Sequence, residues 1–307
     1  MFCKKGWMGD RGIRATLAMV AMFFFLAGTA SAAGSQGAPP ATIQSVIYPA
    51  PEAASDHRYD YYVELLRMAL DRTVNHYGPY AMKPSDKAMT ESRYLQELTN
   101  KTGRVNVIWS STSSEREAAF IPIRISILKD LLGYRIALIP KDLQVEVNRI
   151  QTLDDLRTLK LGQGLGWGDT AIFKSNGLTV SEFVYTDLFR MTAGKSVDFF
   201  PRGVTEIFKE FEANRAANPN LAIEQNLVIY YPFPYYYFTS RSEARLAERI
   251  EKGLELMLKD GSFDNVFFRF NKQAIQKANL KHRRMIQLEN PFLPKDTPVG
   301  SGKLLGR

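Results

Sequence analysis

The stretch Leu159–Leu178, LKLGQGLGWGDTAIFKSNGL, places four glycines (Gly162, Gly164, Gly166 and Gly168) between a short strand pattern and the opening of a helix. Glycines at this density let a backbone turn tightly and come close to a ligand. Asp169 or Thr170 is expected to cap the helix Ala171–Ser175. A helix N-terminus below such a turn offers free N–H groups and a positive dipole end to a carboxylate, phosphate or sulfate. The same residues would also serve a plain strand–helix connection with no ligand. The glycines alternate and give no GxGxxG fingerprint, and no Walker lysine follows. Catalytic patterns are sparse. His57, His76 and His282 are scattered, with no HExxH and no GxSxG. Ser126 and Lys129 satisfy SxxK by chance, in a strand-like stretch without a companion KTG. Neither a metal nor an organic cofactor is expected.

Compartment follows from the first residues. Lys4, Lys5, Arg11 and Arg14 precede the apolar run Ala15–Ala27, and small residues with an A-x-A site at Ala30–Ala32 follow. This is the pattern of a cleaved export signal, with an apolar run too short to span a bilayer; an uncleaved anchor is the alternative. No lipobox cysteine is present, because Thr29 stands in its place. The only cysteine is Cys3, inside the signal, so a mature chain would hold no disulfide and no thiolate metal site. Its stability must come from a core, which 45% apolar residues can supply. Of the formal net charge of +8, the signal contributes three, and much of the rest lies in Lys281–Arg284 and the tail. No basic stripe interleaved with aromatics appears, which argues against nucleic acid. A soluble, exported, periplasmic monomer is expected.

The elements that must position the glycine turn alternate between strand and helix. Thr42–Tyr48, Arg104–Trp109, Phe120–Ile127 and Tyr134–Ile139 read as strands. Tyr59–His76 is an amphipathic helix, with Tyr62, Leu65, Leu66, Ala69, Leu70 and Val74 on one face. Strands at Glu182–Tyr185, Val197–Phe200 and Asn226–Tyr231 alternate with helices at Thr186–Thr192 and Val204–Asn214. Two helices, Glu243–Leu258 and Phe263–Ala278, close the folded part. The alternation predicts a mostly parallel α/β architecture with the ligand at the carboxyl ends of strands.

In this order the chain resembles the extracellular solute-binding proteins of family 3, the polar amino-acid type with the type II periplasmic binding-protein fold. Three segments carry the resemblance: Val107–Phe120 (VIWSSTSSEREAAF), Gly162–Thr170, and Ser196–Glu206 (SVDFFPRGVTE). It implies an α/β clamshell of two discontinuous lobes joined by two hinge strands. Lobe 1 would hold residues 42–138 and 227–290, and lobe 2 residues 139–226, after a signal (1–32) and a linker (33–41). Residues 291–307 would form an irregular tail. In the family, loop hydroxyls and the arginine after them hold a carboxylate; Ser111, Thr112 and Arg116 match those positions. A guanidinium suits this because it makes bidentate, charge-assisted bonds. Arg116 could instead pair with Glu115 or Glu117 at the surface. Arg124 is a second candidate, or else a solvent-facing strand residue. Asp169 and Thr170 match the second lobe's ligand turn, and Trp167 is the better wall for a pocket. Trp109 and the run Tyr230–Phe238 also lie near the implied cleft, though the run is read chiefly as packing into the late helices.

One departure bears on the ligand. The family's amino-acid binders place an acid after the later strand, where this chain has Arg202 and Gly203. Arg202 there favours a second negative group over an ammonium, with Glu206 as the acid that could reverse this. The function implied is capture of a small anionic or amino-acid-like ligand with a carboxylate, for a membrane transporter. A dehydratase-like enzyme on the same fold and a ligand sensor for a membrane signalling protein are the alternatives.

Overall fold

A computed structural model describes residues 43–51 and 57–298. The signal and linker expected at residues 1–41 lie outside them. The strands in chain order are β1 (Gln44–Ala50), β2 (Tyr80–Ala88), β3 (Val107–Ser111), β4 (Ile121–Ile123), β5 (Tyr134–Pro140) and β6 (Lys160–Gly164). They continue as β7 (Thr179–Phe183), β8 (Phe200–Gly203), β9 (Leu221–Ile223), β10 (Leu227–Tyr230), β11 (Tyr235–Thr239) and β12 (Arg284–Gln287).

Two groups of strands emerge. In the first, β11 lies between β3 and β4 and pairs antiparallel with both. The parallel pair β1–β2 joins this group edge to edge through Asn106: its N–H donates to the Ile47 carbonyl (2.9 Å), and its Oδ1 accepts from the Ile47 N–H (2.8 Å). In the second, β5 pairs antiparallel with β8 along one edge and with β10 and β9 along the other, while β12 runs parallel to β10. The parallel pair β6–β7 meets this group through Leu161 and Phe199. The sheets are therefore mixed, where a mostly parallel arrangement was expected. Strands β10 and β11 return through sheets laid down earlier in the chain, and an inserted returning strand pairs antiparallel.

The helix Asp60–Asp71 buries Tyr61, Tyr62, Leu65, Leu66, Ala69 and Leu70, the stripe that helical spacing dictates. It packs on the helix Ala244–Lys259 so closely that a Cβ on Gly253 would collide with the Ala69 backbone. Arg249, wholly buried in the same helix, donates to Leu70 and Gly78 carbonyls and to Thr73 Oγ1 and Gln44 Oε1. The Leu70 carbonyl lies in the last turn of the facing helix, where a carbonyl has no partner inside the helix. Among the described residues no helix is long and apolar enough to cross a membrane.

The segment after β12 crosses both groups. Glu289 exchanges hydrogen bonds with the Asn176 side chain, Asn290 Nδ2 donates to the Pro232 carbonyl, and the Phe292 carbonyl accepts from the Ser114 N–H. The beginning of the expected irregular tail is thus tied down.

Candidate functional site

The turn after β6 and the loop after β3 meet. Gly166 adopts φ +72°, which glycine accepts without strain, and its bend brings the turn against Ser92. Gly168 comes closer still to the opposite group: a Cβ placed on it would stand 2.7 Å from Ser111 Oγ and 3.0 Å from Arg116 Nη1. Arg116 sits on a helix, Ser114–Ala119, in a segment the sequence reading left as loop. Ser113 caps that helix by accepting from the Arg116 N–H (3.2 Å). The arginine's Nη1 donates to Ser111 Oγ (2.7 Å) and to the Ser111 carbonyl (2.9 Å), which aims the guanidinium across the junction.

Beside this junction lies a small cavity of about 70 Å³. Its wall holds three guanidinium groups (Arg58, Arg135, Arg202), three carboxylates (Glu91, Asp169, Glu206) and the rings of Tyr59, Tyr62, Tyr94, Trp167, Phe233 and Tyr235, with Ser111, Gly168 and Leu132. Glu91 Oε1 accepts from Ser110 Oγ (2.5 Å) and stands 3.8 Å from Arg116 Nη2. Burial raises the Glu91 pKa above the ordinary glutamate value, and Arg116 and the Ser110 hydroxyl only partly oppose this.

Asp169 does not cap its helix. That helix starts at Asp169 itself, with Gly168 in the capping place and no side-chain cap. The carboxylate instead faces Arg135 Nη2 at 3.1 Å and accepts from the Tyr231 hydroxyl at 2.8 Å, while Arg135 Nε donates to that hydroxyl at 2.7 Å. All three groups are buried. A buried arginine beside two acceptors explains why a cap is forgone: leaving the guanidinium unpaired would cost more than a cap contributes. Burial pulls the Arg135 pKa down, but Tyr231, Asp169 and Glu206 reverse this and hold it above the ordinary value.

Arg202 lines the cavity with its charge engaged inside the protein. Nε and Nη2 grip Glu210 at 2.6 Å each, Nη2 reaches Glu206 at 3.0 Å, and the guanidinium lies 4.4 Å from the centre of the Trp167 ring. Despite the opposing effect of burial, Glu206 and Glu210 raise its pKa. The ground for expecting a second negative group on the ligand therefore falls away. The guanidinium and Phe200 also hold the Trp167 indole, and a side chain on Gly164 would collide with that ring.

The remaining predicted residues lie apart from the cavity wall. Arg124, just past β4, is exposed and paired with Glu117 (2.6 Å). Thr112 is buried with its hydroxyl donating to Glu117 (2.6 Å). Thr170 is buried beside the wall. Trp109 is core, packed on Tyr59, Tyr62 and Tyr237. Of the aromatic run, Phe233 and Tyr235 do reach the cavity.

Sequence reasoning missed Arg58, Glu91 and Arg135 as wall residues. Arg135 had a readable signal, a charge inside the otherwise apolar strand YRIALIP. Glu91 had none, since an acid in a first helical turn is ordinary.

No family model and no curated protein matches the sequence. Solved structures do resemble it in fold. An ancestral arginine-binding protein bound to arginine aligns with TM-score 0.53 and 20% identity, over 74% of this chain and 97% of that one. An amino acid ABC transporter substrate-binding protein from Streptococcus pneumoniae, bound to L-arginine, aligns with TM-score 0.53 and 13% identity, over 75% and 93%. A histidine kinase sensor domain with similarity to periplasmic binding proteins aligns with TM-score 0.52 and 17% identity, over 74% and 95%. The chain has the two-lobed α/β periplasmic binding-protein fold.

Proposed function

We propose that the protein is an exported solute-binding protein that closes two lobes on a small amino-acid-like zwitterion and delivers it to a membrane transporter. The observation that carries this is the junction of Ser111 and Arg116 with Gly168 beside a cavity holding both carboxylates and guanidiniums. Arg116 and Ser111 would take the ligand carboxylate, with the Gly168–Thr170 turn closing from the other side. Glu91 would face the ammonium, because it is a wall acid 3.8 Å from Arg116, the residue that would take the ligand carboxylate. Lobe 1 would comprise residues 42–138 and 227–290, lobe 2 residues 139–226, with hinges near Ile139 and Asn226. Two structural neighbours hold arginine in a fold of this kind, which supports an amino-acid ligand.

A thermal-shift screen of the purified protein against amino acids and organic acids tests the reading. Binding at a hundredfold excess over Kd adds about 2.7 kcal/mol of stability, a readily measured rise in Tm. Stabilisation by at least one amino acid is expected; none would overturn it. Recovery of the ligand unchanged separates capture from turnover. The sensor-domain neighbour favours a second reading, presentation of the ligand state to a membrane signalling protein. Co-purification with a transporter rather than a kinase from membranes decides between them.

A further inference from the structure

The cavity beside Gly168 adjoins another. Arg58, Tyr62 and Glu206 also line a second, larger chamber of about 410 Å³, so the two spaces share a wall. At about 10–15 Å³ per water-sized position, the inner cavity's 70 Å³ holds only a few atoms. That suits the nitrogen, Cα and carboxylate of an amino acid, and no more. The outer chamber lies within the size range of sites that bury whole organic ligands, about 300–1,000 Å³.

Its wall identifies what it would take. The rings of Tyr61, Tyr185 and Phe270 and the side chain of Leu128 line it, with Val184, half exposed, among them. The polar ends of these groups are already occupied. The Tyr61 hydroxyl donates to the Ile127 carbonyl (2.5 Å) and the Tyr185 hydroxyl to Glu210 (2.8 Å). Glu206 and Glu210 are both held by Arg202. What remains is largely ring face and aliphatic carbon, which stabilises an apolar group, while the cations Arg58 and Lys209 on the same wall disfavour a basic side chain.

We infer that the ligand is an amino acid with a large apolar or aromatic side chain, its head in the inner cavity and its side chain in the outer chamber. The inference rests on the reading of the inner cavity as an amino-acid site. Isothermal titration of the full mature chain with alanine, leucine, phenylalanine, tryptophan and arginine tests it. Phenylalanine or tryptophan should bind about ten- to a hundredfold more tightly than alanine, the gain from burying one apolar side chain. Ala213→Trp, at an exposed position on the chamber wall, should narrow that ratio to near unity. If this variant does not fold, the ligand series on the unaltered chain decides alone. Equal affinity for alanine and phenylalanine would overturn the inference and leave the amino-acid reading standing. Tighter binding of arginine than of either aromatic would do the same. Binding of none of the five would overturn both.

Discussion

Ser111 holds Nη1 of Arg116, while Nη2 stands 3.8 Å from Glu91, beyond a hydrogen bond and within reach of a ligand carboxylate. Arg116→Ala should weaken ligand binding by about 1.5–3 kcal/mol, one to two decades in Kd, with the fold retained. Calorimetry showing unchanged affinity would make it a structural residue. Glu91 gives a pH test. Its folded pKa stands above the ordinary value of 4.5 because burial penalises its charge. Below that value it is protonated both folded and unfolded, and no penalty applies. As pH rises through the folded pKa, the protein must hold a buried charge, and stability is lost. Glu91→Gln should therefore raise the Tm of the ligand-free protein at neutral pH, flatten its fall as pH rises above the ordinary glutamate value, and weaken amino-acid binding. A variant less stable than the parent at neutral pH would show that Arg116 and Ser110 already compensate the charge. Asp169→Ala leaves Arg135 buried without its carboxylate and should cost about 3–5 kcal/mol in chemical denaturation.

Elements meet here through glycines. The Gly168→Ala methyl would press on Ser111 and Arg116, so it should act as a wedge that lowers affinity about tenfold while barely changing ligand-free stability. Gly253→Ala shows the opposite division. Its methyl meets backbone rather than a movable side chain, and the overpacking cost of about 1–3 kcal/mol should exceed the ~1 kcal/mol of added helix propensity. Urea melts of both variants would check the contrast. The same positions mark what the sequence could disclose. The unit from β6 to Ser175 was legible because glycine punctuation between a strand and a helix follows a local rule. Helix Ser114–Ala119 was not, since SEREAA has no apolar stripe and is fixed by the Ser113 cap and the Phe292 contact. Ser111, Trp167 and Asp169 were readable as wall residues. The partners of Asp169 were not, because Arg135 and Tyr231 reach it only through β5 and the chain beyond β10.

For the whole molecule, β5 and β10, which carry the two proposed hinges at their ends, pair with each other inside the second strand group. Small-angle scattering should show a lower radius of gyration when the ligand binds, the mark of hinge closure. An unchanged radius would point to a preformed closed state. Mass spectrometry of exported protein should find an N-terminus at or near Ala33.

Strand β11 carries one more consequence, for timing. Tyr237 pairs with Trp109 and with Ile123, residues 128 and 114 positions earlier in the chain. Until Tyr235–Thr239 has been made, β3 and β4 border an open slot, and Ser111, at the end of β3, lacks its partner Tyr235. Pairings this distant in sequence form slowly, because the loop they close must be ordered before any contact rewards it. The β3–β11–β4 sheet therefore cannot close until about three quarters of the chain has been made. For an exported chain, as proposed above, that delay would leave this half extended while a translocation channel, which threads extended polypeptide, could still accept it.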